Sequence, residues 1–179
     1  MIHEVIMAGF GGQGVMLIGE LLAYAGMLEG KKVSWMPSYG PEMRGGTANC
    51  SVVVSDEELT SPVVTEPTAV IIMNKPSLDK FEGAVRKGGV VVVNTSLIDR
   101  KVARADVEVV EVPCNDVAAE LGNSRVANMV ALGAFIGATR CVSKQSVMEG
   151  LRHILPERHH HLLPLNEQAI DRGIALAQQ

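Results

Sequence analysis

The residues whose types and spacing suit chemistry fall in two stretches. The first is Gly9-Phe10-Gly11-Gly12-Gln13-Gly14, entered from the apolar run Ile2 to Ala8 and followed at once by an apolar helical pattern. This reads as a strand, a tight turn and a helix N-terminus. Such a turn aims unpaired backbone N–H groups and the positive helix end at one point, which suits an anion. Gly9 is expected to take the turn conformation closed to residues with a Cβ, Gly11 to admit a second backbone or a ligand, and Gly14 to let the helix pack close on the strand. A βα turn with nothing bound would show the same spacing, so the glycines alone do not define a function.

A dinucleotide fold also places an acidic residue about 20 residues past its glycines, to hold the ribose hydroxyls. Here the second strand, Lys32 to Met36, runs into Pro37-Ser38 with no carboxylate. That lowers the case for NAD or FAD and leaves phosphate, or another protein's backbone, as what the turn faces. The second stretch follows directly, within Pro37 to Asn49, with two prolines, three glycines and the set Tyr39, Glu42 and Arg44. A non-periodic loop of this length and chemistry is more often a binding loop than a connector. The plainer alternative is a local Glu42–Arg44 pair on a loop that caps the sheet.

The elements that must position these stretches are legible from periodicity. A helix is expected over 15–28, stopped by Gly30, then strands at 32–36, 50–55, 68–74 and 90–94. The run Val90-Val91-Val92-Val93 fits only a sheet interior, while the alternation Val107 to Val112 reads as a sheet edge. A helix is expected at 77–86, and the C-terminal third is helical at 115–121, 126–138, 144–155 and 165–178. Ser143 is placed to cap the 144–155 helix and Pro156 to stop it. Small residues at helical spacing in Asn128 to Gly137 read as a closely packed core helix. The expectation is one α/β domain over 1–179, with a mostly parallel Rossmann-like sheet flanked by helices.

Composition narrows the function classes. The chain has 179 residues, 47% apolar but only 3% aromatic, so aliphatic side chains fill the core. A net charge of -4 argues against a nucleic-acid footprint. No apolar run approaches the roughly 20 residues of a membrane span, and no signal peptide precedes the first strand, so a cytoplasmic protein is expected. Cys50, Cys114 and Cys141 form no C-x-x-C pair and read as buried thiols. His159-His160-His161 cannot readily close one tetrahedral site, because consecutive side chains point apart. No metal is expected there, and a solvated or interface turn is. G-x-S-x-G, P-loop and H-E-x-x-H patterns are missing, and the chain holds no complete catalytic set.

Five segments together resemble the γ subunit of 2-oxoacid:ferredoxin oxidoreductases of the 2-oxoglutarate, branched-chain and pyruvate group. They are Gly9 to Gly14, Tyr39 to Ala48, Ser55-Asp56 before Ser61-Pro62, Gly88-Gly89 before the valine strand, and Asn128 to Gly133. The match runs in order over nearly the whole chain, and Tyr-Gly-Pro-Glu-x-Arg-Gly-Gly is its specific part. The resemblance implies a γ-type domain that is not active alone and binds no cofactor alone. Its partners would be α and β chains holding thiamine diphosphate and Mg²⁺, and a ferredoxin-like δ chain whose iron–sulfur cluster serves ferredoxin. The assembly converts a 2-oxoacid and coenzyme A to acyl-CoA and CO₂, or runs the reverse. By the same resemblance, Gly9, Gly11, Gly12, Gln13 and Gly14 would face the α chain or the coenzyme A phosphates. Tyr39, Glu42, Arg44, Gly45 and Gly46 would border the active centre, with Arg44 as a fixed cation. A free-standing nucleotide-binding oxidoreductase and a purely structural subunit remain the alternatives.

Overall fold

A computed structural model describes residues 1–38 and 47–179, so Tyr39, Glu42, Arg44, Gly45 and Gly46 lie outside the described residues. The chain forms β1 (Ile2–Phe10), α1 (Val15–Leu28), β2 (Lys32–Ser38), β3 (Thr47–Ser55), β4 (Ala69–Ile72), α2 (Lys75–Phe81), β5 (Val90–Asn94) and β6 (Glu108–Val112). Four helices follow: α3 (Cys114–Glu120), α4 (Ala127–Thr139), α5 (Lys144–Ile154) and α6 (Leu163–Ala177).

The strands make one sheet in the order β2-β3-β1-β4-β5-β6. Only β3 runs against the others, pairing antiparallel with both β1 and β2, while β1, β4, β5 and β6 pair parallel. The mostly parallel sheet is therefore as expected, and β6 is an edge. What the sequence pattern did not reveal is that β3 returns between β1 and β2. A dinucleotide fold keeps its second strand beside its first, so the end of β2 is displaced here from the place where a ribose carboxylate would act.

Several boundaries differ from expectation. The third strand begins at Thr47 rather than Cys50, because Thr47, Ala48 and Asn49 pair with Phe10, Gly9 and Ala8. β2 continues through Pro37 to Ser38, which an edge strand tolerates because one side of its backbone needs no partner. The helix expected at 77–86 is α2, which starts at Lys75 behind an Asn74 cap and gives way to a 3-10 turn at Glu82. Ser143 caps α5 as expected, its hydroxyl accepting the Ser146 N–H.

Alternate residues of the central strands enter two separate cores. Val5, Met7, Ile71 and Val92 face α1 and the C-terminal helices, while Ile6, Ala8, Val70 and Val91 face Leu78 of α2 and Ile98. On the first face α4 is buried from Ala127 to Ile136 and lies backbone to backbone on α6, so the small residues do mark a packed core helix.

All three cysteines are buried in this layer and free. Burial pushes their thiols up, Cys50 to about 11 despite a hydrogen bond from Trp35, and Cys114 and Cys141 to about 12. Thiolate is the reactive form, so the folded chain should resist iodoacetamide at pH 8 and take up three equivalents only after unfolding. Mass analysis of the alkylated protein checks this, and fast labelling of any cysteine in the folded chain would contradict it.

The end of α1 is tied to α5 through Glu29. Its carboxylate accepts the Ser143 N–H at 2.8 Å and pairs with Lys31 at 3.1 Å, while Lys31 Nζ donates to the Cys141 carbonyl at 2.6 Å. Burial pushes Glu29 up, but hydrogen bonds from the Ser143 backbone, Ser146, Lys31 and the Ser143 hydroxyl outweigh it and hold the group at about 2. A depressed carboxyl contributes stability that is complete above its ordinary value of 4.5 and lost as pH falls through about 2. Glu29→Gln should therefore lower Tm at pH 7, and the gap to the unsubstituted chain should close between pH 4.5 and 2. A gap independent of pH would exclude this linkage.

Candidate functional site

β1 delivers the glycine turn to the C-terminal end of the parallel strands, where open α/β sheets bind ligands. Gly12 (φ 91°) and Gly14 (φ 76°) take the left-handed conformation. Gly9 does not: it remains in β1, paired with Ala48. It is small because a Cβ there would lie 2.5 Å from Gln13 Oε1 and 2.9 Å from the Met73 Cβ. The turn dihedrals expected at Gly9 thus belong to Gly12 and Gly14, and Gly9 provides close packing.

Gln13 closes the turn on itself. Its Oε1 accepts the Phe10 N–H at 2.6 Å, its own N–H donates to the Phe10 carbonyl at 3.2 Å, and its Nε2 donates to the Met73 carbonyl at 3.4 Å. The side-chain amide therefore ties β1 to the end of β4. Gly11 and Gly12 are exposed, and a Cβ on Gly12 would meet nothing within 4 Å. At Gly14 the reverse holds. A Cβ would run into the amide of Asn128, whose Nδ2 donates to the Gly14 carbonyl at 3.3 Å. Gly14 thus makes room for α4 rather than for the strand.

Gly14 is also the N-terminal cap of α1, with no acidic residue in the first turn and, among the described residues, no side chain bonding to the helix N–H groups. The positive end of a 14-residue helix favours an anion at this point. Next to it lies a cavity of about 200 Å³ bounded by Gly12, Gln13, Asn115, Ser124, Arg125 and Asn128. Arg125 sits on the 3-10 turn Ser124–Val126 that leads into α4, and it is exposed. Arg86, Arg100, Arg104 and Arg172 have carboxylate partners, whereas Arg125 has none among the described residues. The glycine turn and an arginine border a space near the start of α1 that is sized for a phosphate or carboxylate.

Behind the cavity Asn94 stiffens the sheet end. Its Nδ2 donates to the Met73 carbonyl (3.3 Å) and to Asn115 Oδ1 (2.8 Å), and its Oδ1 accepts the Cys114 N–H (3.1 Å). Asn94, Asn115, Arg125 and Asn128 were not anticipated as site residues. Asn128 stood in a segment singled out in the sequence, as a packed helix and as part of the family resemblance rather than as a site.

Thr47, the first residue of β3, pairs with Phe10, and Ser38, the last of β2, pairs with Asn49 two residues further along. The described residues on either side of 39–46 thus lie at the glycine-turn end of the sheet. His159, His160 and His161 lie in the 3-10 turn Glu157–Leu162, where His160 Nε2 bonds the Leu155 carbonyl at 2.9 Å. No helix among the described residues is long and apolar enough to cross a membrane.

Comparison with known proteins matches residues 4–176 to the family model described as pyruvate ferredoxin/flavodoxin oxidoreductase. Subunit VorA of the ketoisovalerate oxidoreductase of Methanothermobacter marburgensis is 45% identical over 98% of this chain, and the chain spans only 37% of that relative's length. Among solved structures, the γ subunit of a keto/oxoacid ferredoxin oxidoreductase from Geobacter sulfurreducens superposes with a TM-score of 0.84 at 29% identity, over 98% of both chains. The 2-oxoglutarate:ferredoxin oxidoreductase from Magnetococcus marinus, solved with 2-oxoglutarate, coenzyme A and succinyl-CoA bound, gives 0.89 at 26% identity. That match covers 99% of this chain and 31% of the other.

Proposed function

The chain belongs to the pyruvate ferredoxin/flavodoxin oxidoreductase family, and we propose that it works as the γ subunit of a cytoplasmic 2-oxoacid:ferredoxin oxidoreductase. The complex converts a 2-oxoacid and coenzyme A to acyl-CoA and CO₂ while reducing ferredoxin, or runs the reverse. The observation that carries this reading is the crevice bordered by Gly12 and Arg125 near the start of α1.

In this reading the crevice holds phosphate groups of coenzyme A, through the N–H groups of the glycine turn and the Arg125 guanidinium. Asn128 and Gln13 position the turn by bonding the Gly14 carbonyl and the Phe10 N–H. The family resemblance assigns Tyr39, Glu42, Arg44, Gly45 and Gly46 to the surroundings of the reacting centre. Thiamine diphosphate and Mg²⁺ sit in α and β chains, and the iron–sulfur cluster in a ferredoxin-like δ chain. The scattered, buried cysteines of this chain do not suit an iron–sulfur cluster. The relatives' names point to different 2-oxoacids, ketoisovalerate and 2-oxoglutarate. Substrate choice is accordingly assigned to the partner chains.

The test is anoxic capture of the tagged chain from its native cells, followed by assay of bound thiamine and iron and of coenzyme A-dependent dye reduction with a panel of 2-oxoacids. Co-purification with thiamine- and iron-bearing chains, and loss of activity when this chain is omitted from reconstitution, is the expected result. Recovery alone, with NADH or FAD binding, would replace the reading by a free-standing nucleotide site. Arg44→Ala should raise the coenzyme A KM, and an unchanged KM and turnover would remove Arg44 from the site.

A further inference from the structure

A second cavity, of about 310 Å³, adjoins the first, and Arg125 is a wall of both. Its other walls come from elements far apart in sequence: Leu17 of α1, Val126 ahead of α4, Leu155 after α5, and His159 and Leu162 of the histidine turn. Two amides complete it. Asn123 uses its Oδ1 to accept the Arg125 N–H, and its Nδ2 has no partner among the described residues. Asn166 uses its Nδ2 on the Leu162 carbonyl, and its Oδ1 has no partner among the described residues. The chamber thus offers apolar walls, one aromatic face, one donor and one acceptor, beside an anion site.

We propose that this chamber holds the adenine ring of coenzyme A, with His159 against its face and Asn123 and Asn166 on its polar edge; the proposal rests on the reading of the crevice as a coenzyme A phosphate site. An adenine edge carries an exocyclic N–H donor next to a ring-nitrogen acceptor, the complement of Asn166 Oδ1 and Asn123 Nδ2. Its flat face suits an aromatic wall among aliphatic ones. Arg125 stands where the phosphates attached to the ribose must lie. Direction follows from chemistry. The thiol of coenzyme A has to reach a reacting centre this chain does not contain, so the end retained here is the non-reacting one. The histidine turn, which has no place in the crevice itself, thereby acquires one.

The experiment uses the assembled complex and compares kcat/KM for coenzyme A with that for 4′-phosphopantetheine, which lacks the adenosine part. His159→Ala, which removes the aromatic face, and Leu17→Trp, which fills the chamber, should each lower that ratio by about tenfold or more. Adenosine 3′,5′-bisphosphate should compete with coenzyme A in the unsubstituted complex and about tenfold more weakly in both variants. A ratio unchanged within twofold in His159→Ala and Leu17→Trp, or no competition by the bisphosphate, overturns the proposal. Arg125→Ala separates the two levels. If it raises the coenzyme A KM while the chamber variants do nothing, only the adenine assignment fails. If it also does nothing, the phosphate reading fails with it.

Discussion

Gly133→Ala is expected to cost about 3 kcal/mol or more of unfolding free energy, read from urea denaturation of the chain. A Cβ at Gly133 would drive into the Ile170 carbonyl and lie 2.9 Å from the Ile170 Cα. From the other side, a Cβ on Gly173 would meet the Val130 carbonyl, with the Ala134 N at 2.7 Å. Each helix therefore fits a glycine against the other's backbone. Backbone cannot swing aside as a side chain can, so the axes of α4 and α6 must part along a layer where Leu132, Phe135 and Ile170 are fully buried. Overpacking a core site costs about 1–3 kcal/mol, and a backbone obstacle puts this one at the top of that range or beyond. Two controls isolate the cause. Gly122→Ala, at φ 86° with nothing near its Cβ, should lose only about 1–2 kcal/mol from the left-handed conformation. Gly83→Ala, in open space without that conformation, should change stability by less than about 0.5 kcal/mol. A Gly133→Ala loss below that of Gly122→Ala would refute the backbone contact. The substitution also reaches the site, because α4 carries Asn128 onto Gly14.

How much of this was legible depended on whether the information was local. The bounds of α1 agreed with expectation at both ends, because Gly14 and Gly30 punctuate it and both adopt the left-handed conformation. The valine run of β5 could only be an interior strand, since neither of its faces tolerates water. Sheet order was different: alternation shows that a strand has a buried face and says nothing of its neighbour, so the return of β3 between β1 and β2 left no mark. Thr47, Ala48 and Asn49 looked like loop because short polar residues favour turns, and long-range pairing with β1 overrode that preference. The glycine spacing identified the turn and not which glycine carries the unusual dihedral. Arg125 and Asn115 reach the crevice from segments more than 100 residues away, and no local pattern announces such a meeting.

In the assembled complex, Gly12→Asp is expected to raise the coenzyme A KM about 30-fold over Gly12→Asn. The pair is chosen so that only charge differs. Aspartate and asparagine are close in shape, both enter the left-handed region more readily than other side chains, and a Cβ at Gly12 meets nothing within 4 Å. Asparagine should lower chain stability by about 1 kcal/mol, and aspartate by somewhat less, because its carboxylate lies near the positive end of α1. The aspartate carboxylate, however, stands beside the uncapped end of α1, where no first-turn acid exists and where the phosphate of the ligand is placed. Two unit charges about 5 Å apart repel by about 3 kcal/mol at an effective dielectric constant near 20, and exposure and salt reduce this to about 2 kcal/mol, or 30-fold. Because the repulsion is partly screened, the ratio of the two KM values should shrink as ionic strength rises from about 0.05 to 0.5 M. Equal KM values for both variants, in a complex that still assembles, would mean that the turn meets no anion and that the chain supports its partners by contact alone. A large, salt-sensitive loss of coenzyme A affinity in the aspartate variant places a negative ligand group at the end of α1, because the helix end itself favours the carboxylate and only a competing anion makes it unfavourable.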